Sequence, residues 1–328
     1  MKESGDKVNT KKLTESAVLS ALFVMTGIVF ISTFVGYQFY LDILVPILIT
    51  LIYLRCDFKY TLLSCLTSVA LLTFIFGNPA YTLWIIQNMT IGFICGFLIK
   101  RDTNLMDDLF FCSLFATLIL VFADIFLSSI IGYSFMAEAQ EMLVNFEGYP
   151  ILKDVAFYIV LAALPLGTVI MTYIAGIVLG KKLSLLNANA LKKFVFIKKY
   201  KKYGSMQYCS QKTVFVSLIF LLFMNILGDD NILFNIIYFK TVLIIMKYIT
   251  LYFIIKDSYS ILCSYIFRFT SQKIIVIFLQ LVMLYSLFTY FKIVSCVLII
   301  GGIAIDLRHK FRKNTERLLR NVNVKYEL

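Results

Sequence analysis

The chain has 328 residues, of which 60% are hydrophobic and only 15% are charged. Soluble domains carry about a quarter charged residues and few apolar runs near twenty residues, so this composition excludes an ordinary soluble protein. The net charge of +12 does not indicate nucleic-acid binding, because an excess of lysine and arginine is typical of the cytoplasmic loops of membrane proteins.

Apolar runs of membrane-spanning or nearly spanning length follow one another along the chain. A polar start precedes the first run, which has no convincing cleavage site and is predicted to be a retained span. Six runs precede a hydrophilic stretch and four follow it, at 17–36, 40–54, 60–76, 81–99, 109–133, 154–179, 213–227, 232–255, 274–290 and 293–305. We therefore predict an all-α integral membrane protein, a bundle of about ten (eight to ten) transmembrane helices.

The connections between these runs predict the domain organisation. Residues 1–180 form a six-helix membrane unit, 181–212 a lysine-rich loop, 213–305 the C-terminal membrane helices and 306–328 a basic tail. Within the C-terminal helices, 257–272 is predicted to be an interfacial segment.

Lysine and arginine are concentrated in every second connection. Basic residues occupy 1–16, 55–59, 100–101, 181–212, 256–273 and the tail, whereas 77–80, 134–153 and 228–230 are mostly neutral or acidic. Because basic residues stay inside, this alternation predicts a multi-pass membrane protein with both termini cytoplasmic.

Two stretches carry a resemblance to known families. The first span begins Thr14-Glu-Ser-Ala-Val-Leu-Ser-Ala-Leu22, and with six spans after a polar start it resembles the S components of energy-coupling factor transporters, which capture vitamins. The four-helix half ending in Ile305-Asp-Leu-Arg-His-Lys-Phe-Arg-Lys313 is similar to the YybS-like predicted membrane proteins of low-GC Gram-positive bacteria, a family without an assigned function. The S-component resemblance implies a transmembrane coupling subunit and ATPase subunits as partners. The similarity to the YybS-like family implies a location in the bacterial cytoplasmic membrane.

The first span presents small residues at helical spacing, namely Ala17, Ser20, Ala21 and Gly27. Small residues let another helix approach closely. In S components an Ala-x-x-x-Ala face of this helix docks the coupling subunit, and Ala17 and Ala21 match that spacing. The alternative is ordinary packing inside the chain's own bundle.

The fourth span carries Trp84, Asn88, Gly92 and Gly96 at successive intervals of four, which places them along one ridge. In one interpretation Trp84, Gln87 and Asn88 line an outward-facing pocket for a small molecule. In the other, the two glycines only seat a neighbouring helix and Trp84 belongs to the interfacial aromatic belt.

Charges within the spans are the clearest functional signal. Asp42, Asp124, Lys240 and Lys247 would each cost about 2.5–3.5 kcal/mol at a helix centre, so they are expected to face protein or water. We predict that Asp124 faces Trp84 and Asn88 across an outward-open cavity, with Lys240 completing the substrate site. The alternative is that Asp42 lies near the outer interface and the lysines reach the membrane surface.

The sequence offers few residues in patterns that support catalysis, and we do not expect the protein to be an enzyme. The one histidine, His309, lies in the basic tail, and no GxxxxGK[ST] phosphate loop is present. The acidic pairs Asp107-Asp108 and Asp229-Asp230 are interpreted as solvated turn residues. No metal site and no cofactor are expected.

Three functional classes remain. The favoured one is the substrate-capturing subunit of a small-molecule transporter, the second a membrane scaffold in envelope assembly or sporulation, and the third a lipid-modifying enzyme. Residues 189–202, where apolar side chains alternate with lysine pairs, are predicted to be partly helical and to lie on anionic headgroups of the membrane. The identity of a substrate and the oligomeric state are left open.

Overall fold

The computed structural model describes residues 9–33, 36, 39–131, 134–142, 150–199, 207–227, 237–270, 278, 281–283, 285–286 and 289–314. Over these residues the chain is helical and contains no β-strand. Four of the described helices are long and apolar enough to cross a membrane: Thr10–Thr33, Tyr81–Lys100, Leu105–Ile125 and Ala156–Lys182. The predicted all-helical chain with several membrane-length apolar helices is confirmed, whereas the total of about ten spans stays a prediction.

The N-terminal part is built from helices α1 (Thr10–Thr33), α2 (Val45–Phe76) and α3 (Pro79–Lys100), with a π-helical turn at Tyr40–Leu44 directly before α2. Helix α2 breaks at Asp57, where φ is 65° and ψ is 179°, so that the predicted spans 40–54 and 60–76 lie on either side of this residue. It ends at Gly77, which adopts the left-handed conformation that glycine tolerates without steric cost.

The remaining helices are α4 (Leu105–Ile131), α5 (Phe135–Met142), α6 (Pro150–Lys182), α7 (Ala188–Lys198), α8 (Gln211–Leu227), α9 (Ile237–Thr270) and α10 (Phe291–His309). The predicted helix within 189–202 is confirmed by α7. Helix α9 runs through 257–270 of the predicted interfacial segment without interruption, and the interfacial location of 257–272 stays a prediction. No glycine or proline stands between 256 and 270 to end the helix.

Several sequence predictions lie outside the described residues. These are the pair Asp229-Asp230, most of the span at 274–290, and the tail beyond Asn314.

The chain divides into two compact units. The first comprises Met1–Asp102 and Cys112–Ala190, and the second comprises Thr103–Phe111 and Leu191–Leu328. The change at residue 190 falls inside the lysine-rich stretch 181–212, while the first residues of α4 group with the second unit.

Close packing in the first unit depends on glycines opposite the first segment of α2. A Cβ added to Gly92 of α3 would lie 2.3 Å from the Pro46 carbonyl oxygen, and one added to Gly96 would lie 2.8 Å from the Tyr53 Cβ. From α6, a Cβ on Gly176 would lie 2.7 Å from the Thr50 Cγ2. The interpretation of Gly92 and Gly96 as a seat for a neighbouring helix is confirmed, and that neighbour is α2.

Candidate functional site

A carboxylate and two N–H donors meet at the edge of the apolar core of the first unit. The Trp84 indole Nε1–H donates to Asp42 Oδ1 at 2.8 Å, and the Asn88 Nδ2 donates to the same oxygen at 3.3 Å. We call Asp42, Trp84 and Asn88 the Asp42 site. Because each member would be costly against lipid, their pairing relieves the cost of all three.

The π-helical turn Tyr40–Leu44 positions the carboxylate. Tyr40 and Leu41 are fully buried, and the Tyr40 ring stacks on Phe30 of α1 with 5.1 Å between ring centroids. The extra residue of a π turn re-aims the side chains beside it, and such turns are frequent at functional sites. Asp42 is thereby held toward α3 while it keeps partial exposure.

The two donors are buried, whereas the carboxylate is partly exposed. Trp84 retains 8% of its accessible surface and Asn88 retains 3%. Trp84 belongs to the same core cluster as Phe23, Tyr40 and Met89. The arrangement therefore presents a partly accessible carboxylate backed by two buried donors, which is a geometry that can orient a polar or cationic group of a small ligand.

Asn88 also makes a hydrogen bond within its own helix, because its Nδ2 donates to the Trp84 carbonyl oxygen at 3.3 Å. Gln87, the third predicted pocket residue on α3, is buried as well, with 8% exposure. The three polar side chains predicted on the fourth span are thus all buried within the first unit.

Asp124, predicted to face Trp84 and Asn88, is buried on α4 and makes a different contact. The Ser134 hydroxyl donates to Asp124 Oδ2 at 3.1 Å. The same hydroxyl accepts the Ala137 N–H at 3.2 Å, which caps the start of α5. This contact assigns Asp124 a role in holding α5; its predicted place opposite Trp84 and Asn88 stays a prediction.

Lys240 lies on α9, in the second unit, and is partly exposed. Its predicted place in the substrate site joins residues of both units and stays a prediction.

The predicted docking residues of α1 divide between two faces. Ala17 and Ala21 are exposed, together with the large apolar side chains Val18, Leu22, Met25 and Val29. Ser20 is buried, and its hydroxyl is paired with that of Ser64 in α2. Gly27 is also buried, against Tyr40 and Leu72. The face left open on α1 is therefore the one that carries Ala17 and Ala21.

A group of charges gathers at the end of the first unit where α1 begins and α3 ends. Asp57, at the break in α2, accepts hydrogen bonds from Lys12 and Lys100. Burial acts to raise the pKa of Asp57, but these two lysines outweigh it and lower that pKa below its ordinary value. Nearby, Arg55 donates two hydrogen bonds of 2.8 Å to Glu15.

The second unit contains buried ion pairs that sequence reasoning missed. Arg312 lies between Asp306 of α10, at 2.7 Å, and Asp257 of α9, to which it also donates. Burial raises the pKa of Asp257, although Arg312 and the Cys209 N–H act against that rise. These residues tie the chain after α10 back onto α9 and α10.

The interpretation of Asp107-Asp108 as solvated turn residues is wrong. Asp108 is 1% exposed, and Lys193 of α7 donates to it at 2.6 Å. Asp107 accepts the Ser210 N–H at 2.9 Å. Lys193 lies 85 residues from Asp108 and Ser210 lies 103 residues from Asp107, so the local sequence did not reveal these partners. Among the described residues, no group of histidine, cysteine, aspartate or glutamate has the arrangement of a metal site.

Comparison with known proteins supports the membrane assignment. Residues 16–147 match the model of a family described as predicted membrane protein (DUF2232). No curated protein and no solved structure matches the chain. The matched segment contains Ala17, Ala21, the Asp42 site, Asp57 and Asp124, so the family's model covers most of the candidate residues in the first unit.

Proposed function

We propose that this membrane protein captures a small molecule at the Asp42 site and passes it on within a transporter that partner subunits energise. The observation that carries the proposal is the partly exposed Asp42 carboxylate, held by the buried Trp84 and Asn88 of α3, a helix long and apolar enough to cross a membrane. An ionisable residue inside a membrane protein marks a substrate or ion site by default. The proposal assigns no catalytic step to the chain.

The exposed face of α1 supports a partner in the membrane. Ala17 and Ala21 stand four residues apart on that face, and small residues at this spacing permit close helix approach. By its resemblance to S components, we propose that a transmembrane coupling subunit docks here and that ATPase subunits supply the energy. We further propose about ten spans in a bacterial cytoplasmic membrane, with both termini cytoplasmic and the lysine-rich loop against anionic headgroups.

The only tryptophan of the sequence gives a direct test. Purified protein in lipid nanodiscs is titrated with a panel of vitamins and other small molecules while Trp84 emission is recorded. We expect at least one compound to change the emission in a saturable way, and Asp42→Asn to abolish that change. Asp102→Asn, which removes an exposed carboxylate after the end of α3, is the matched control and should bind as the wild type does.

A membrane scaffold is the second candidate, and Asn88 favours it. Its Nδ2 contacts the Trp84 carbonyl of its own helix as well as Asp42, as expected for a polar side chain that is satisfied internally. If no compound changes Trp84 emission and Asp42→Asn only lowers the thermal stability, the Asp42 site is structural and the scaffold is the better account.

A further inference from the structure

Asp57 joins three helices at one end of the first unit. It stands at the break in α2 and accepts from Lys12 near the start of α1 and from Lys100 at the end of α3. Lys100 also lies over the Tyr53 ring, 5.3 Å from its centroid. A single carboxylate thus holds the ends of α1 and α3 against α2.

The same three helices carry the features on which the proposed function rests. Helix α1 carries the exposed Ala17 and Ala21, the turn before α2 carries Asp42, and α3 carries Trp84 and Asn88. Trp84 precedes Lys100 by sixteen residues, which is about 24 Å along a helix that rises 1.5 Å per residue. A rigid helix therefore links the Asp57 contacts to the Asp42 site across most of the membrane's thickness.

The Asp57 contacts can be released at small cost. The Asp57 side chain is 51% exposed, and those of Lys12 and Lys100 are 36% and 22% exposed. Both ion pairs are therefore open to solvent on at least one side, where ion pairs are weak and screened by salt. By contrast, the side chains of Arg312 and Asp257 in the second unit are 7% and 1% exposed, so that pair cannot open without leaving buried charges behind.

The backbone of Asp57 favours release as well. Its φ of 65° with ψ of 179° lies in a region populated almost only by glycine, and a residue held there stores strain. Movement of the backbone at this break can therefore relieve strain.

We propose that Asp57 is a positioning residue that couples the docking face of α1 to the Asp42 site, a proposal that rests on the proposed function of that site. When Lys12 and Lys100 leave Asp57, the end of α3 is free to shift against α2. Such a shift changes the distance between Trp84 and Asp42 at the other end of the helix. A partner that docks on α1 would use this movement to open or close the site.

Acrylamide quenching of Trp84 tests the coupling in the full-length protein without any ligand. In nanodiscs we expect Asp57→Asn and Lys100→Gln to increase the quenching constant and to shift the emission maximum to longer wavelength. Glu15→Gln is the matched control, because it removes the neighbouring Glu15–Arg55 pair and leaves Asp57 intact. Unchanged quenching in folded Asp57→Asn and Lys100→Gln proteins would overturn the proposal.

Quenching of the wild-type protein at low and high salt tests the coupling even if the variants fail to fold. At about 1 M ionic strength the screening length falls to about 3 Å, so wild-type Trp84 should become more accessible in high salt, as in the variants. Equal quenching of the wild type at low and high salt would overturn the coupling. A failed ligand titration with intact coupling would instead remove the proposed function of the Asp42 site alone.

Discussion

At the level of single residues, the structure distinguishes ion pairs that solvent can reach from ion pairs that are buried. Asp57 and its two lysines are partly exposed to solvent. The ion pairs Arg312–Asp257 and Lys193–Asp108 are almost completely buried. Exposed pairs contribute little to stability, but removal of one partner from a buried pair leaves an uncompensated charge. The two groups therefore respond differently to mutation.

Asp57→Gly should unfold at a higher temperature than Asp57→Ala. Both variants lose the two lysine contacts, but only alanine keeps a Cβ in the glycine-like conformation, at a cost of about 1–3 kcal/mol. Thermal unfolding of the purified variants in the same detergent provides the comparison. An Asp57→Ala protein as stable as Asp57→Gly would show that the backbone at this break is not strained.

The lowered pKa of Asp57 also predicts a direction for pH. A carboxyl whose pKa is lower in the folded state contributes stability above its unfolded pKa and loses it as the pH falls through the folded value. The difference in unfolding temperature between wild type and Asp57→Asn should therefore shrink in acid. A difference that is constant or grows as the pH falls would contradict the lysine contacts.

Arg312→Met should destabilise the protein strongly, by about 3–5 kcal/mol, because Asp257 and Asp306 lose the cation buried between them. Arg308→Met removes an exposed arginine of α10 and should be close to neutral. Burial already raises the pKa of Asp257. Protonation of this carboxyl therefore stabilises the folded state, and this stabilisation is lost as the pH rises through the raised pKa.

The deficit of Arg312→Met should accordingly diminish as the pH falls from neutral toward acid, because Asp257 then takes up a proton. Fluorescence-detected thermal unfolding across that range measures it. Equal stability of Arg312→Met and Arg308→Met at neutral pH would rule out the buried ion pairs.

At the level of helices, glycine decides how closely α2, α3 and α6 approach. The Cβ of an alanine at Gly92 would meet the backbone of Pro46, which cannot move aside as a side chain can. The sequence interval of four between Gly92 and Gly96 indicated a groove, since these residues lie on one ridge of a helix. It did not indicate that the neighbour is α2.

Gly92→Ala should therefore destabilise the first unit by about 1–3 kcal/mol through overpacking. Gly167→Ala, in α6, is the control, because nothing lies within 4 Å of its added Cβ; alanine there should be neutral or stabilise by up to about 1 kcal/mol. Unfolding temperatures of the two variants in one detergent compare them. Two equal temperatures would mean that α2 and α3 are not in backbone contact.

At the level of the whole molecule, the distribution of basic residues predicts the orientation in the membrane. A green fluorescent protein fused to the C-terminus should be fluorescent, because the tail is predicted to be cytoplasmic. Alkaline phosphatase inserted after Gly77 should be active, since that turn is predicted to lie outside. A non-fluorescent C-terminal fusion together with inactive phosphatase after Gly77 would contradict the predicted orientation.

Composition and the lengths of apolar runs were enough to predict a helical membrane protein, because lipid requires each span to satisfy its backbone hydrogen bonds within itself. Helical spacing was enough to predict the groove at Gly92 and Gly96. Both inferences depend on residues close together in the chain.

The pairing of distant polar residues was decided only by the tertiary structure. Asp42 and Trp84 were each recognised as unusual, but nothing in the sequence relates two residues 42 positions apart. Asp108 was assigned to a solvated turn and Lys193, 85 positions away, to a segment on the membrane surface, yet they are paired and buried. A charged residue within an apolar sequence indicates that it needs a partner, because it is costly against lipid. Only the packing of the helices determines which residue that partner is.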